Sequence, residues 1–268
     1  MAYKQGHRLL RYTPRFLPFV FVFHLLLVVV RVFDWLVYRL QVSGRENLFK
    51  VKRAVLVSNH TLVVDPGVIA HAIRPRRTYY TMLEETALIP FLGTFVRLLG
   101  GIPIPQRSIS LRHLETAIRR ALGELGFVHF FPEGECYLWS QQIQPFRPGA
   151  FYLALRLGLP IIPITTVLHE RHWFGRCSFS LMGHRVHVPP RVRIAIQEPV
   201  YPEDLLGGIQ GQLDPTLVTR PKHAACLMGN NVRQLMQATV DRYGGSKRLS
   251  KGKMPRLALH EEDRPSEH

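Results

Sequence analysis

The sequence predicts an α/β domain with a largely parallel sheet flanked by helices, preceded by a membrane-associated helical segment. Three observations carry that prediction. From about residue 45 onward, short apolar runs alternate with helical stretches, the spacing of parallel strands joined by helices. Hydrophobic residues make up 46% of the 268-residue chain, enough for one sizeable core. Before residue 45 the pattern differs: an apolar stretch, Leu17 to Val30, lies between Lys4, Arg8, Arg11 and Arg15 on one side and Arg31, Arg39 and Arg45 on the other.

The elements follow in order. Ala54-Val55-Leu56-Val57 reads as a buried strand. Asp65-Pro66-Gly67 opens a helix, with Asp65 expected at the N-cap and Pro66 at the first helical position. Tyr79 to Met82 is a second strand, Glu84 to Leu99 a helix, and Ile102 to Ile104 a short strand. Ser110 to Leu125 is an amphipathic helix, with Leu111, Leu114, Ala117, Ile118, Ala121 and Leu125 on one face. Phe127 to Phe131 is a strand stopped by Pro132; Ala150 to Leu157 is helix and Ile161 to Val167 strand. Arg191 to Gln197 alternates as a strand does, and Lys222 to Tyr243 reads as a last helix. The expected division is residues 1–44 as membrane-associated helices, 45–244 as the α/β domain and 245–268 as a disordered charged tail.

The apolar N-terminal run is shorter than the roughly 20 residues of a simple span and contains His24. It resumes as Val32-Phe33-Asp34-Trp35-Leu36-Val37-Tyr38. Two short helices dipping into one leaflet fit it better than one straight crossing, with a buried helix pair as the plainer alternative. The net charge of +16 favours anionic partners. Its placement around an apolar segment favours a lipid surface over nucleic acid. There is no aromatic-basic RNA motif and no recognition helix, so nucleic acid is not an expected partner. Three scattered cysteines make no disulfide framework and place the domain on the cytoplasmic, reducing side.

The chemistry gathers where the first strand ends. Ser58-Asn59-His60 falls at the sheet's carboxyl edge, where open α/β sheets bind ligands. Asp65 follows at the start of the next helix. An imidazole can take the proton of a hydroxyl as that hydroxyl attacks a carbonyl, while a carboxylate on the other ring nitrogen fixes the tautomer. A His and an Asp five residues apart are common by chance, so the pair alone is weak. Cys136 could be a nucleophile in principle. His169-Glu170-Arg171-His172, with Cys177, lacks the H-E-x-x-H spacing, so no metal is expected.

Further blocks give the pair its meaning. Asn59-His60-Thr61-Leu62-Val63-Val64-Asp65 resembles the N-H-x4-D motif of the glycerolipid acyltransferases, the family that includes lysophosphatidic acid acyltransferases. Gly101-Ile102-Pro103-Ile104-Pro105-Gln106-Arg107 resembles its second motif, and Phe131-Pro132-Glu133-Gly134 its F-P-E-G motif. Pro145-Phe146-Arg147-Pro148-Gly149-Ala150 resembles its F-K-x-G-A segment, and Pro160-Ile161-Ile162-Pro163-Ile164 its last motif. The resemblance covers roughly residues 40 to 170, with the blocks in the family's order.

The resemblance implies transfer of a fatty acyl group from acyl-CoA or acyl carrier protein to the hydroxyl of a lysophospholipid, 1-acylglycerol-3-phosphate or a related lysolipid. It implies no cofactor beyond that thioester co-substrate. His60 would be the base and Asp65 its partner, with Asn59, Arg107, Glu133, Gly134 and Arg147 binding substrate. A lipid-binding or scaffold protein with this fold and no activity is the alternative. The chain departs from the family in its cations. F-P-E-G usually continues T-R-S, whereas here Glu135-Cys136-Tyr137 follows. No lysine precedes Glu84-Glu85, and Arg107 sits one place late. Arg147, Arg76, Arg77 and Arg97 are candidate substitutes, and a lysolipid with a larger or less charged head is a possible acceptor.

Overall fold

The computed structural model of the chain describes residues 28, 31–83, 100–104, 111–171, 178–181, 184–206 and 220–254. Most of the expected N-terminal helical segment, the expected helix over 84–99, and Arg97 and Arg107 lie outside them.

A central sheet of seven strands organises the domain. In chain order its strands are β1 (Gln41–Ser43), β2 (Ala54–Ser58), β3 (Tyr79–Leu83), β4 (Gly101–Ile104) and β5 (Phe127–Phe130), then β7 (Ile161–His169) and β10 (Arg191–Ile196). Between them come the short strand β6 (Tyr137–Leu138) and the hairpin β8 (Ser178–Leu181) and β9 (His184–His187). The spatial order is β1-β10-β7-β2-β5-β3-β4. Strands β7, β2, β5, β3 and β4 are mutually parallel; β10 runs antiparallel to β7, and β1 follows β10. The largely parallel α/β sheet predicted from the sequence is therefore present.

Among the described residues, the strands are connected and covered by the helices α1 (Asp65–Ala72), α2 (Leu111–Leu125), α3 (Gly149–Leu157), the short α4 (Pro202–Leu205) and α5 (Pro221–Arg242). Because a parallel strand is buried on both faces, β2 is apolar almost throughout, and its alternate residues enter different cores. Val55 and Val57 join Val128, Ile118 and Phe151 in a core under α2, α3 and α5. Ala54 and Leu56 join Val68, Ile69, Ile162 and Ile194 in a second core under α1. The predicted face of α2 is buried as expected at Leu114, Ala117, Ile118 and Ala121.

Two boundaries differ in a way that matters. Asp65 is the first residue of α1, and the N-cap is Val64, whose side chain makes no capping bond. The Asp65 carboxylate turns back toward the preceding loop instead. The expected disorder from residue 245 also gives way to structure. Lys247–Leu249 forms a 3-10 turn, and β11 (Gly252–Lys253) pairs antiparallel with β6. Four backbone bonds to the body of the domain outweigh the charge of this segment as a predictor. Ser246 N–H donates to Leu168 O, Gly245 N–H to Val240 O, Lys251 N–H to Leu138 O and Met254 N–H to Cys136 O. Residues 255–268 lie outside the described part.

Toward the N-terminus, Asp34–Tyr38 forms a π turn. Asp34 is buried and bonds His71 Nδ1 at 3.0 Å, while Val28, Val32, Phe33, Trp35 and Leu36 are exposed. Among the described residues, no helix is long and apolar enough to cross a membrane.

Candidate active site

The carboxyl edge of β2 delivers the predicted pair into one small arrangement. His60 Nδ1 lies 2.9 Å from Asp65 Oδ2. The same oxygen accepts the backbone N–H of Thr61 at 2.7 Å and of Leu62 at 2.8 Å. Three contacts converging on one oxygen of this fully buried residue define its position.

The four-residue spacing has a mechanical reason. Asp65 N–H donates to Leu62 O, closing a turn that brings the carboxylate back over the N–H groups of residues 61 and 62. Leu62 is buried as an anchor, and Val63 and Val64 form an exposed apolar tip.

The backbone of His60 is held from two sides. Its N–H donates to Glu133 Oε1 at 3.0 Å, and its carbonyl accepts the N–H of Tyr137 at 2.9 Å. The imidazole stacks on the Phe131 ring with centroids 4.2 Å apart and planes 24° from parallel. With Nδ1 bonded to the carboxylate, that ring nitrogen carries the proton when the imidazole is neutral. Nε2 is left as the lone-pair nitrogen, without a hydrogen-bond partner among the described residues, on a side chain 21% exposed.

Glu133 is buried, and its second oxygen accepts Gln144 N–H at 3.3 Å. Burial raises its pKa to about 7 although both backbone bonds oppose the rise. Gly134 has φ +73°, a left-handed conformation suited to glycine. A Cβ there would stand 2.6 Å from Arg147 Nε and 2.7 Å from its Cζ, so the missing side chain is what lets the Arg147 guanidinium lie over the turn. Arg147 is itself fixed at its backbone, where its N–H donates to Pro132 O at 2.8 Å.

The other expected groups divide sharply. Asn59 was expected to bind substrate, but its amide bridges to β7: Nδ2 donates to Thr166 O at 3.0 Å and Oδ1 accepts Thr166 N–H at 2.8 Å. It is 2% exposed and acts as a latch between the His60 loop and β7. Asn59→Ala should lower stability by about 2–4 kcal/mol, because two buried backbone groups of residue 166 lose their partner. Urea unfolding of the variant against the parent measures this.

Arg76, offered as a substitute cation, stacks on Phe49 and Phe127 at the opposite, amino edge of the sheet, and Arg77 follows it in the approach to β3. Burial first, and then the nearby Asp65 and Glu133 charges, push the Cys136 thiol up to about 12, which disfavours the thiolate that a nucleophile needs. Among the described residues, no cluster of three or more His, Cys, Asp or Glu side chains is placed to hold a metal.

The sequence left two participants without roles. Phe131 was visible only as a motif letter. His129 is fully buried beside it, with ring centroids 4.5 Å apart, and its Nε2 lies 2.9 Å from Ser58 Oγ. Burial first, and the proximity of His60 second, lower its pKa to about 3. The native state therefore holds His129 neutral where the unfolded chain would protonate. Stability from this group is full above the unfolded value of 6.5 and is lost as pH falls toward 3. The loss between pH 7.5 and pH 5 should be about 2 kcal/mol, and His129→Gln should remove it. Urea midpoints of both proteins at the two pH values test the sign.

This fold, with a histidine–carboxylate pair at the carboxyl edge of β2, has counterparts among known proteins. The model of the Acyltransferase family matches residues 39–167 of the chain. An uncharacterized acyltransferase of Schizosaccharomyces pombe is 30% identical over 160 residues, covering 58% of this chain and 52% of that protein. A 1-acyl-sn-glycerol-3-phosphate acyltransferase of Chlamydomonas reinhardtii is 34% identical over 133 residues, covering 48% of this chain and 38% of its own length. The chain thus spans about half or less of these two relatives. The crystal structure of the 1-acyl-sn-glycerophosphate (LPA) acyltransferase PlsC from Thermotoga maritima superposes with a TM-score of 0.51 over 81% of this chain and 80% of that one. At 22% identity that likeness concerns the fold.

Proposed function

We propose that the chain transfers a fatty acyl group from an acyl thioester to the hydroxyl of a lysophospholipid, with His60 as general base. The observation that carries the proposal is the 2.9 Å contact between His60 Nδ1 and a buried Asp65 oxygen, which leaves Nε2 to accept a proton. The acceptor hydroxyl gives that proton to Nε2 as its oxygen forms a bond to the thioester carbonyl carbon. The tetrahedral intermediate collapses, the carbon–sulfur bond breaks, and the imidazolium proton passes to the departing thiolate. Asp65 fixes the tautomer and stabilises the imidazolium formed in the first step. No covalent acyl-enzyme and no metal enters this scheme.

The lysolipid acceptor is supported by the family and by relatives named as 1-acyl-sn-glycerol-3-phosphate acyltransferases. The donor is acyl-CoA or acyl carrier protein; both are acidic, which suits a chain of net charge +16. The exposed Val32, Phe33, Trp35 and Leu36 support attachment to a lipid surface through the N-terminal segment, with the catalytic domain on the cytoplasmic side.

The test is direct. The purified chain is incubated with radiolabelled acyl-CoA or acyl carrier protein thioester and a panel of lysophospholipids in mixed micelles. A labelled diacyl product is expected with at least one lysolipid; no transfer to any of them refutes the reading.

A further inference from the structure

The turn after Glu133 contains a charged cluster that joins Arg147 of the F-K-x-G-A segment to two residues, Glu135 and Lys253, that none of the recognised motifs includes. Glu135 is nearly buried, with its side chain 11% exposed. Two cations converge on it. Lys253 Nζ forms an ion pair with Oε2, and Arg147 Nη2 lies 4.0 Å from Oε1. Both cations remain more than half exposed, at 53% for Lys253 and 60% for Arg147. The buried anion therefore gathers two positive groups whose remaining donors face solvent.

Lys253 arrives from the far end of the chain on β11. It is the register partner of Tyr137, and Met254 N–H donates to the carbonyl of Cys136. Position 136 is where the resemblance leads one to expect an arginine and the chain has a thiol. The adjacent strand thus supplies a cation beside the position that lacks one. A second contact steadies the strap, since Lys251 Nζ sits 3.8 Å over the Trp139 ring.

The cluster stands close to the base. Tyr137 N–H donates to His60 O, so β11, β6 and the His60 loop lie side by side. Two such spacings amount to about 10 Å of backbone. That distance is within the combined reach of a lysine side chain and a glycerol phosphate whose hydroxyl meets His60. Glu133 joins the two ends, holding His60 N–H while starting the turn that bears Gly134 and Glu135.

We infer that Lys253, together with Arg147, binds the phosphate of the acceptor lipid, and that Glu135 is the positioning residue that gathers the two. The inference rests on the lysophospholipid reading above and names the residue that recognises the headgroup. It makes the C-terminal strap part of the acceptor site.

Equilibrium binding in a His60→Ala background separates this inference from the activity itself. Lysophosphatidate and a monoacylglycerol of the same chain length are titrated in the same detergent. Lys253→Ala should weaken lysophosphatidate binding about tenfold and leave monoacylglycerol binding unchanged, and Lys253→Arg should restore most of the loss. Thermal melts of each variant confirm that it is folded. Unchanged lysophosphatidate affinity in Lys253→Ala overturns the assignment, as does an equal loss for both ligands. Absence of acyl transfer by the parent chain would count against the activity, while the titration still decides the site.

Discussion

His60→Ala is expected to lower the rate of acyl transfer by about 10²- to 10⁴-fold, the range that a positioned general base contributes. The loss should fall on kcat, because the imidazole acts on the proton in flight. The parent and variant should bind the lysolipid with similar affinity. The side chain is part-exposed and its removal leaves the backbone bonds to Glu133 and Tyr137 intact, so the variant should remain folded. Initial rates at saturating thioester, with circular dichroism as the folding control, provide the measurement. A variant retaining the parent rate would remove His60 from the mechanism.

Asp65 offers a finer test because one oxygen does all the hydrogen bonding. Oδ2 takes His60 Nδ1 and the N–H groups of Thr61 and Leu62, whereas Oδ1 is buried with no hydrogen-bond partner among the described residues. In Asp65→Asn the amide oxygen can occupy the Oδ2 position and keep all three bonds. The tautomer is then preserved and only the charge is lost. One charge-assisted bond to the imidazolium is worth about 1.5–3 kcal/mol, so kcat should fall about 10- to 150-fold. Asp65→Ala removes the acceptor altogether. It leaves two buried backbone donors unpaired and should cost both activity beyond the Asn variant and about 2–4 kcal/mol of stability. Rates and urea midpoints of the two variants together check this. Equal rates for Asn and Ala would show that the three-donor geometry does not matter.

The readable parts of the sequence were those governed by local rules. The strands β2, β5 and β7 announce themselves as apolar runs because both faces of a parallel strand are buried. The amphipathic period of α2 was equally plain. At the site, His60 and Asp65 were legible as a motif, and the turn that joins them follows from their spacing. What was not legible depends on partners distant in sequence. The amide of Asn59 looks available to substrate until β7 is laid beside it, when residue 166 takes both of its functions. Glu135 reads as an anion in the wrong place until Lys253 is brought across by β11. The tail reads as disordered because composition carries no record of backbone pairing, and β11 is stabilised by β6 rather than by any apolar pattern of its own. Asp65 was assigned to the N-cap by residue type, yet its carboxylate is claimed by the loop before it. A composition rule cannot see that competition.

The Asn59 latch has a consequence for how the protein is made. The His60 loop is synthesised before the backbone that locks it, which lies 107 residues later. The cation proposed for the headgroup comes later still. A nascent chain shorter than residue 166 therefore has the histidine and its aspartate but not the strand that fixes their loop, and long-range contacts of this kind form late and slowly. The loop that carries His60 is therefore fixed only once β7 has been made.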